Sequence, residues 1–377
     1  MQPVPNKIYL DHVSTTKTYK EVLDTYKKLL DEYYCNSDAL YDDGVAVYRL
    51  QEQARANIAK MLNVRNNEII FTSGASEASS LAIKGLCLEN MSRKHIITSI
   101  YEHSSVYNAI KQMEEKLGFE VTYLMPNQDG VIEPEAVRKA LRDDTLLVSI
   151  MCVNNEIGAI NDINTIKEIV KKESKAYFHT DMTQALAKID IDLKDVDMAS
   201  FSAHKIHGLK GSGFLYKRDY IKLAPLISGG QQEFAIRGGT SNALVNIVLA
   251  KTLRLALEDF KTNHSYVNHL YNYCLDKLKE LDFVKINSCV NGIDNLINIS
   301  TCVTSEVMMN ALNAKGMMVS SKSTCGSREN EPSRVLKSMD IDDNYAIRIS
   351  FDKTNTKEEI DIFINNLKEI VNKYGRN

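Results

Sequence analysis

Apolar and polar positions alternate along this chain with two different periods. Ile8-Tyr9-Leu10 reads as a short strand, followed by the polar turn Asp11-His12-Val13-Ser14-Thr15-Thr16. A helical stretch runs from about Tyr19 to Tyr34, and the clusters Cys35-Asn36-Ser37-Asp38 and Tyr41-Asp42-Asp43-Gly44 break it. From Arg49 to Leu62, Leu50, Ala54, Ile58, Met61 and Leu62 fall on one helical face. Short Val/Ile/Leu-rich runs then alternate with helical ones. Glu68–Thr72, His95–Ile100, Phe119–Leu124 and Thr145–Val153 predict strands, each followed by a helix: Ser76–Leu88, Ser105–Leu117, Glu133–Leu141 and Ile163–Lys172. Ala176–Thr180, Met198–Phe201 and Gly213–Tyr216 predict further strands. Such repeated units predict a mostly parallel sheet with helices on both faces, and ligands on such sheets sit at the carboxyl ends of the strands.

The pattern changes after two helical stretches, Ala243–Phe260 and Ser265–Leu281. Strands are expected at Val284–Ile286, Asn295–Ser300, Met317–Ser320 and Ala346–Ser350, with a helix at Ser305–Ala314 among them. A last helix, Thr356–Tyr374, opens on a Thr356/Glu359 capping box and repeats Ile360, Phe363, Leu367, Ile370 and Tyr374 on one side. This last third reads as a separate, smaller α+β domain.

Composition narrows the function classes. With 377 residues and a formal charge of -3, the chain has no overall basic character to argue for nucleic acid or anionic lipid. No apolar run approaches the ~20 residues of a membrane span, and no signal-peptide pattern follows Met1. The seven cysteines, Cys35, Cys87, Cys152, Cys274, Cys289, Cys302 and Cys325, are scattered with no CxxC, which argues against a disulfide framework or a structural zinc site.

Candidate chemistry collects at the predicted strand ends. Thr72-Ser73-Gly74-Ala75-Ser76-Glu77 joins a strand to a helix; it suits a phosphate held at a helix N-terminus, or a simple cap by Ser73 or Ser76. His103, after His95–Ile100, could stack on a flat ring and shuttle protons, or be a satisfied polar residue. Asn154-Asn155-Glu156-Ile157-Gly158 ends another strand. Asp181 follows Ala176–Thr180 and could face a protonated pyridine nitrogen or cap the next segment. Lys205 stands within Ser202–Gly213, after Val196–Phe201; desolvation there would free its amine as a nucleophile, whereas a surface turn would leave it idle. None of these loops fits GxGxxG or a Walker template. A phosphate cradle, a histidine, an amide, a carboxylate and a lysine together form the set that pyridoxal 5'-phosphate (PLP) requires.

The stretches Leu10–Thr16, Ser73–Glu77, Glu102-His103, Asn154–Gly158, Asp181–Gln184, Ser202–Gly213, Gln232-Glu233, Arg237–Thr240 and Ser320–Ser327 resemble the NifS/IscS-type cysteine desulfurases of the class-V aminotransferase family. The resemblance covers nearly the full chain. It implies an α/β PLP-dependent transferase fold of type I: a large domain, 13–258, on a mostly parallel seven-stranded sheet, and a smaller α+β domain from 1–12 and 259–377. It also implies residue roles. Lys205 would anchor PLP covalently. Ala75, Ser76, Ser202 and His204 would bind its phosphate, and Thr240 would reach the phosphate in the neighbouring subunit of a homodimer. His103 would stack on the ring and move protons, Asp181 would keep the ring nitrogen protonated, and Asn155 and Gln184 would contact the ring hydroxyl. Arg348 would grip the substrate carboxylate, with Asn155 beside it. Cys325 would receive sulfur from L-cysteine as a persulfide and pass it to an acceptor, such as an iron–sulfur scaffold protein, in the cytoplasm. No metal is implied, and no direct partnership with nucleic acid or membrane. The sequence departs from the family pattern at His12, Val13, Gly238, Lys322, Thr324 and Asp352-Lys353. The rival readings are another PLP-dependent C–S or C–Se lyase, an aminotransferase, or a degenerate partner in sulfur transfer.

Overall fold

The computed structural model describes residues 7–321 and 332–375. Its strands are β1 (Ile8–Tyr9), β2 (Ile69–Thr72), β3 (His95–Ser99), β4 (Glu120–Leu124), β5 (Thr145–Ser149), β6 (Tyr177–Asp181), β7 (Met198–Ser202), β8 (Gly213–Lys217), β9 (Lys285–Ile286), β10 (Leu296–Ser300), β11 (Met317–Met318) and β12 (Ala346–Ser350). A seven-stranded sheet runs in the order β2-β8-β7-β6-β5-β3-β4, with β8 antiparallel to both its neighbours and the remaining pairs parallel. Every residue of β2, β3, β5, β7 and β8 is buried, as sheets covered on both faces require, whereas the edge strand β4 is partly open. The expected α/β architecture is therefore present, with a single reversed strand inside it.

A three-stranded antiparallel sheet, β12-β10-β9, forms a second layer. Its core includes Ile297, Ile299, Ile347, Ile349, Phe363 and Leu367, and the N-terminal residues Ile8 and Leu10 belong to the same cluster. β1 pairs in parallel with β11, so the start of the chain is held by its last third. The strap that follows, Asp11 to Tyr19, is stitched onto the loop carrying Lys205. Thr16 N–H donates to His204 O (2.9 Å), Tyr19 N–H to His207 O (3.0 Å), and His207 N–H to Thr16 Oγ1 (2.7 Å).

Several local expectations need correction. Asp42 and Asp43 do not lie in a break; they form the first turn of the helix Asp42–Met61, where carboxylates favour the positive helix end. The two helical patterns after Ala243 are one 37-residue helix, Ala243–Lys279. Its polar middle, around Lys261 to Ser265, bridges two cores and stays helical although largely exposed. The run expected as a strand from Thr145 to Val153 leaves regular pairing after Ser149. It continues alongside β6 through Ile150 N–H to His179 O (3.2 Å) and Cys152 N–H to Asp181 O (3.0 Å). A short helix, Arg334–Ser338, capped by Ser333, was not visible in the periodicity.

Candidate active site

The strand ends converge on a cleft of about 390 Å³. Ala75, Ser76, His103, Asn155, Asp181, Gln184, Ser202, His204, Lys205 and Arg348 all line it. Thr240 is exposed and does not line the cleft of its own chain. Cys325, with Lys322 and Thr324, lies outside the described residues.

The cleft floor is built from close backbone approach. Gly74 has φ +146°, and a Cβ there would stand 3.5 Å from Ser202 Oγ. A Cβ on Gly213 would come within 2.4 Å of Phe201 O and 2.6 Å of Gly74 Cα. Neither Ser73 nor Ser76 caps the helical run that begins at Ala75; its N-cap is Gly74, which makes no side-chain cap bond. The first N–H groups therefore lack a side-chain acceptor, in a cradle of small residues beside Ser76, Ser202 and His204. That arrangement fits a phosphate. Glu77, which also lines the cleft, accepts from Ser73 N–H (2.8 Å) and pairs with Arg237 (2.9 Å).

His103 is itself the N-cap of the helix Ser104–Leu117. Its Nδ1 accepts from Ser105 N–H (3.2 Å) and lies 2.8 Å from Ser105 Oγ. Burial lowers its pKa below the ordinary histidine value, Asp181 opposes that, and Lys205 and Arg334 add to it. The ring is held neutral, with its proton on Nε2. Below it, burial pushes the Glu102 carboxyl up to about 8, even though Ser99 Oγ (2.5 Å) and Met151 N–H (2.9 Å) donate to its Oε1.

Asp181 ends β6 and is 5% exposed. It caps no helix; its Oδ1 accepts from Thr183 N–H (2.9 Å), an Asx turn that fixes the carboxylate toward the cleft. The role of Asn154 is structural. Its Oδ1 accepts from Glu156 and Ile157 N–H (2.8 and 3.1 Å), which shapes the turn that presents Asn155.

Lys205 ends the single turn Ala203–Lys205 after β7. Its Nζ donates to Val13 O (2.8 Å) and Ser14 O (2.7 Å). Gln184 Nε2 also donates to Val13 O (3.0 Å), and Gln184 Oε1 accepts from Lys188 Nζ (2.6 Å). Burial, with Lys205 adding to it, brings the His204 pKa down to about 4. Arg348, 2% exposed on β12, holds Asn155 O (2.6 Å), Asp11 Oδ1 (3.0 Å) and Ser14 Oγ (2.6 Å); its buried Nε has no hydrogen-bond partner among the described residues. Sequence reasoning missed Lys188 and the Val13 and Ser14 carbonyls. Only the four-residue spacing of Gln184 and Lys188 gave a signal.

The donor set fits PLP: a cradle for phosphate, an amine for covalent attachment, a buried carboxylate and a neutral histidine. Residues 8–363 match the family description Aminotransferase class-V. A Cysteine desulfurase IscS from Dictyoglomus turgidum is 38% identical over 376 residues, covering 97% of this chain and 95% of that protein. A solved structure titled NifS-like protein superposes with a TM-score of 0.91 at 33% identity, covering 97% of this chain and all of the other. Another, titled SspA in complex with cysteine, has a TM-score of 0.81 at 33% identity, covering 93% of this chain and all of the other. The chain belongs to the class-V aminotransferase family, among its PLP-dependent cysteine desulfurases of the NifS/IscS type.

Proposed function

We propose that this cysteine desulfurase anchors PLP on Lys205, moves the sulfur of L-cysteine onto Cys325, and hands it to an acceptor such as an iron–sulfur scaffold protein. The observation that carries the residue roles is the convergence of Lys205, Asp181, His103 and the Gly74 cradle on one cleft. Names of relatives favour sulfur removal over amino-group transfer, and the cysteine in the SspA title supports the substrate.

When bound, PLP would supply a cationic ring able to take up the electron pair released at the substrate Cα. Ala75, Ser76, Ser202 and His204 bind its phosphate. Asp181 keeps a proton on the ring nitrogen. His103 would lie against the ring, offering its Nε2–H as a hydrogen-bond donor because Nδ1 is engaged by Ser105. Asn155 and Gln184 orient the ring hydroxyl. Arg348 grips the substrate carboxylate, which needs its guanidinium to exchange Asp11 for the substrate. The Lys205 amine takes the Cα proton. The Cys325 thiolate attacks the substrate sulfur; an S–S bond forms, the Cβ–S bond breaks, Cβ keeps that electron pair and gains a proton, and a proton is returned to Cα, giving alanine.

The homodimer reading rests on the exposed apolar side chains Leu40, Tyr48 and Phe234, which line one groove. Beside it Arg55 braces Glu233 bidentately (2.7 and 2.9 Å), at the start of the segment that leads to Thr240. In this reading the large unit is 13–258 and the smaller one 1–12 with 259–377, the boundary passing through the continuous helix Ala243–Lys279. Among the described residues, no helix is long and apolar enough to cross a membrane. We assign the enzyme to the cytoplasm.

The test is incubation with L-cysteine followed by mass spectrometry of the peptide containing Cys325, where one added sulfur is expected. Full sulfide release by Cys325→Ser would refute the persulfide route.

A further inference from the structure

A second lysine stands behind the first. Lys188 lines a cavity of about 90 Å³ whose wall also includes Lys205. Its Nζ is 2.6 Å from Gln184 Oε1, and that contact dictates which end of the amide faces which way. With Oε1 taken by the amine, Nε2 must point to Val13 O, the carbonyl that also accepts from Lys205. Lys188, Gln184, Val13 O and Lys205 thus form one chain of hydrogen bonds, with an amine at each end.

We propose that Lys188 is a positioning residue for the PLP lysine: it sets the orientation of Gln184, and its positive charge biases Lys205 toward the neutral amine. This rests on the reading of Lys205 given above. The electrostatic setting supports it. Burial, followed by the charges of Lys205 and Arg348, brings the Lys188 pKa down to about 7, against the pull of Asp352. The cavity brings further charged or titratable groups to Lys188: His207 from the Lys205 loop, His12 from the N-terminal strap, Asp259 and His264 from the long helix, Asp294, and Asp352 with Lys353 after β12. Of these, His207 is paired with Asp352 (2.8 Å), His264 with Asp294 (3.1 Å) and Lys353 with Asp259. His12, whose buried Nδ1 has no hydrogen-bond partner among the described residues, has its pKa lowered by burial. Below pH about 7 Lys188 is therefore an added cation bonded, through Gln184 and Val13 O, to Lys205, and like charge in a poorly solvated site disfavours a second ammonium.

The experiment compares the purified full-length enzyme with Lys188→Gln, Lys188→Arg and Lys188→Met. Bound PLP is measured first by its visible absorption; a parent enzyme without that band would refute the Lys205 reading itself, whatever Lys188 does. The band is then titrated with pH. Lys188→Gln can still donate to Gln184 but carries no charge, so its midpoint should rise by about half a unit or more, with PLP retained. Lys188→Arg stays charged at every pH of the titration, so its midpoint should not rise above the parent's. Lys188→Met removes both functions, so it should shift the midpoint and also release PLP several-fold faster. Should Lys188→Met fail to fold, the Gln and Arg variants decide the charge effect by themselves. Midpoints within about 0.2 units across the Gln variant and the parent would overturn the proposal, as would equal shifts for Gln and Arg.

Discussion

The cleft and the cavity share Lys205 and are built in opposite ways. The cleft is made of strand ends, a helix start without a side-chain cap, and small residues that let backbone approach backbone. Its polar groups line open volume even where they are also bonded, as Lys205 is to Val13 O and Arg348 to Asp11, and Arg348 Nε has no hydrogen-bond partner among the described residues. The cavity lies where the N-terminal strap, the long helix and the segment after β12 meet. Most of its charged groups are paired across those segments: His207 with Asp352, Lys353 with Asp259, and Tyr19 with the same Asp259 while its ring stacks on His207 at 4.5 Å. The difference teaches where this protein keeps its chemistry. Groups left facing a cleft can act on a ligand, whereas groups paired between distant segments hold those segments together. Lys188 stands at the border, on the cavity side but bonded toward the cleft.

Three substitutions can break or sharpen that contrast. The largest effect belongs to the shared residue. Lys205→Ala should abolish the visible absorption of bound PLP and lower sulfide release by roughly 10²–10⁴-fold, the usual range for a positioned proton-transfer group, as read in a cysteine turnover assay. On the cleft side, Arg348→Gln should raise KM for cysteine by about 10- to 100-fold, the equivalent of a lost charged hydrogen bond. An unchanged KM in a destabilised protein would mean that Arg348 serves Asp11 and Asn155 more than the substrate. On the cavity side, Asp352→Asn should cost about 1–2 kcal/mol of stability near pH 7, measured by urea unfolding, with little change in turnover per folded molecule. The Asp352 pKa is lowered below the usual carboxylate value: burial raises it, but the hydrogen bond and charge of His207, with His12 adding, outweigh that. Its contribution is therefore present above the unfolded carboxylate pKa of about 4 and lost as pH falls through the lower folded value. The gap between Asp352→Asn and the parent should close on acidification; a gap independent of pH would remove the carboxylate from the account.

Legibility followed sequence distance. Asp181, His103 and Asn155 could be read because an apolar run followed at once by a polar residue marks a buried strand and its end. Lys205 could be read in the same way, and the family resemblance joined them. Arg348 was reached only through the family resemblance. Beyond the order of the elements, the helix Arg334–Ser338 was missed because a few residues cannot display a period. The join of the two helical patterns was missed because polar residues in a bridging helix look like a loop.

By itself the amino-acid sequence determined the alternating elements, the strand-end chemistry and the membership of the family, since all of these are written in local runs of a few residues. Only the tertiary structure decided what stands behind Lys205. Val13 O is 192 positions from the lysine it meets, and His207 is 145 from Asp352. A backbone carbonyl has no sequence signature, and a buried amine such as Lys188 reads like any surface lysine until folding removes its water. Charge and solvation are properties of what packs around a group, and that is set by segments far apart in the chain.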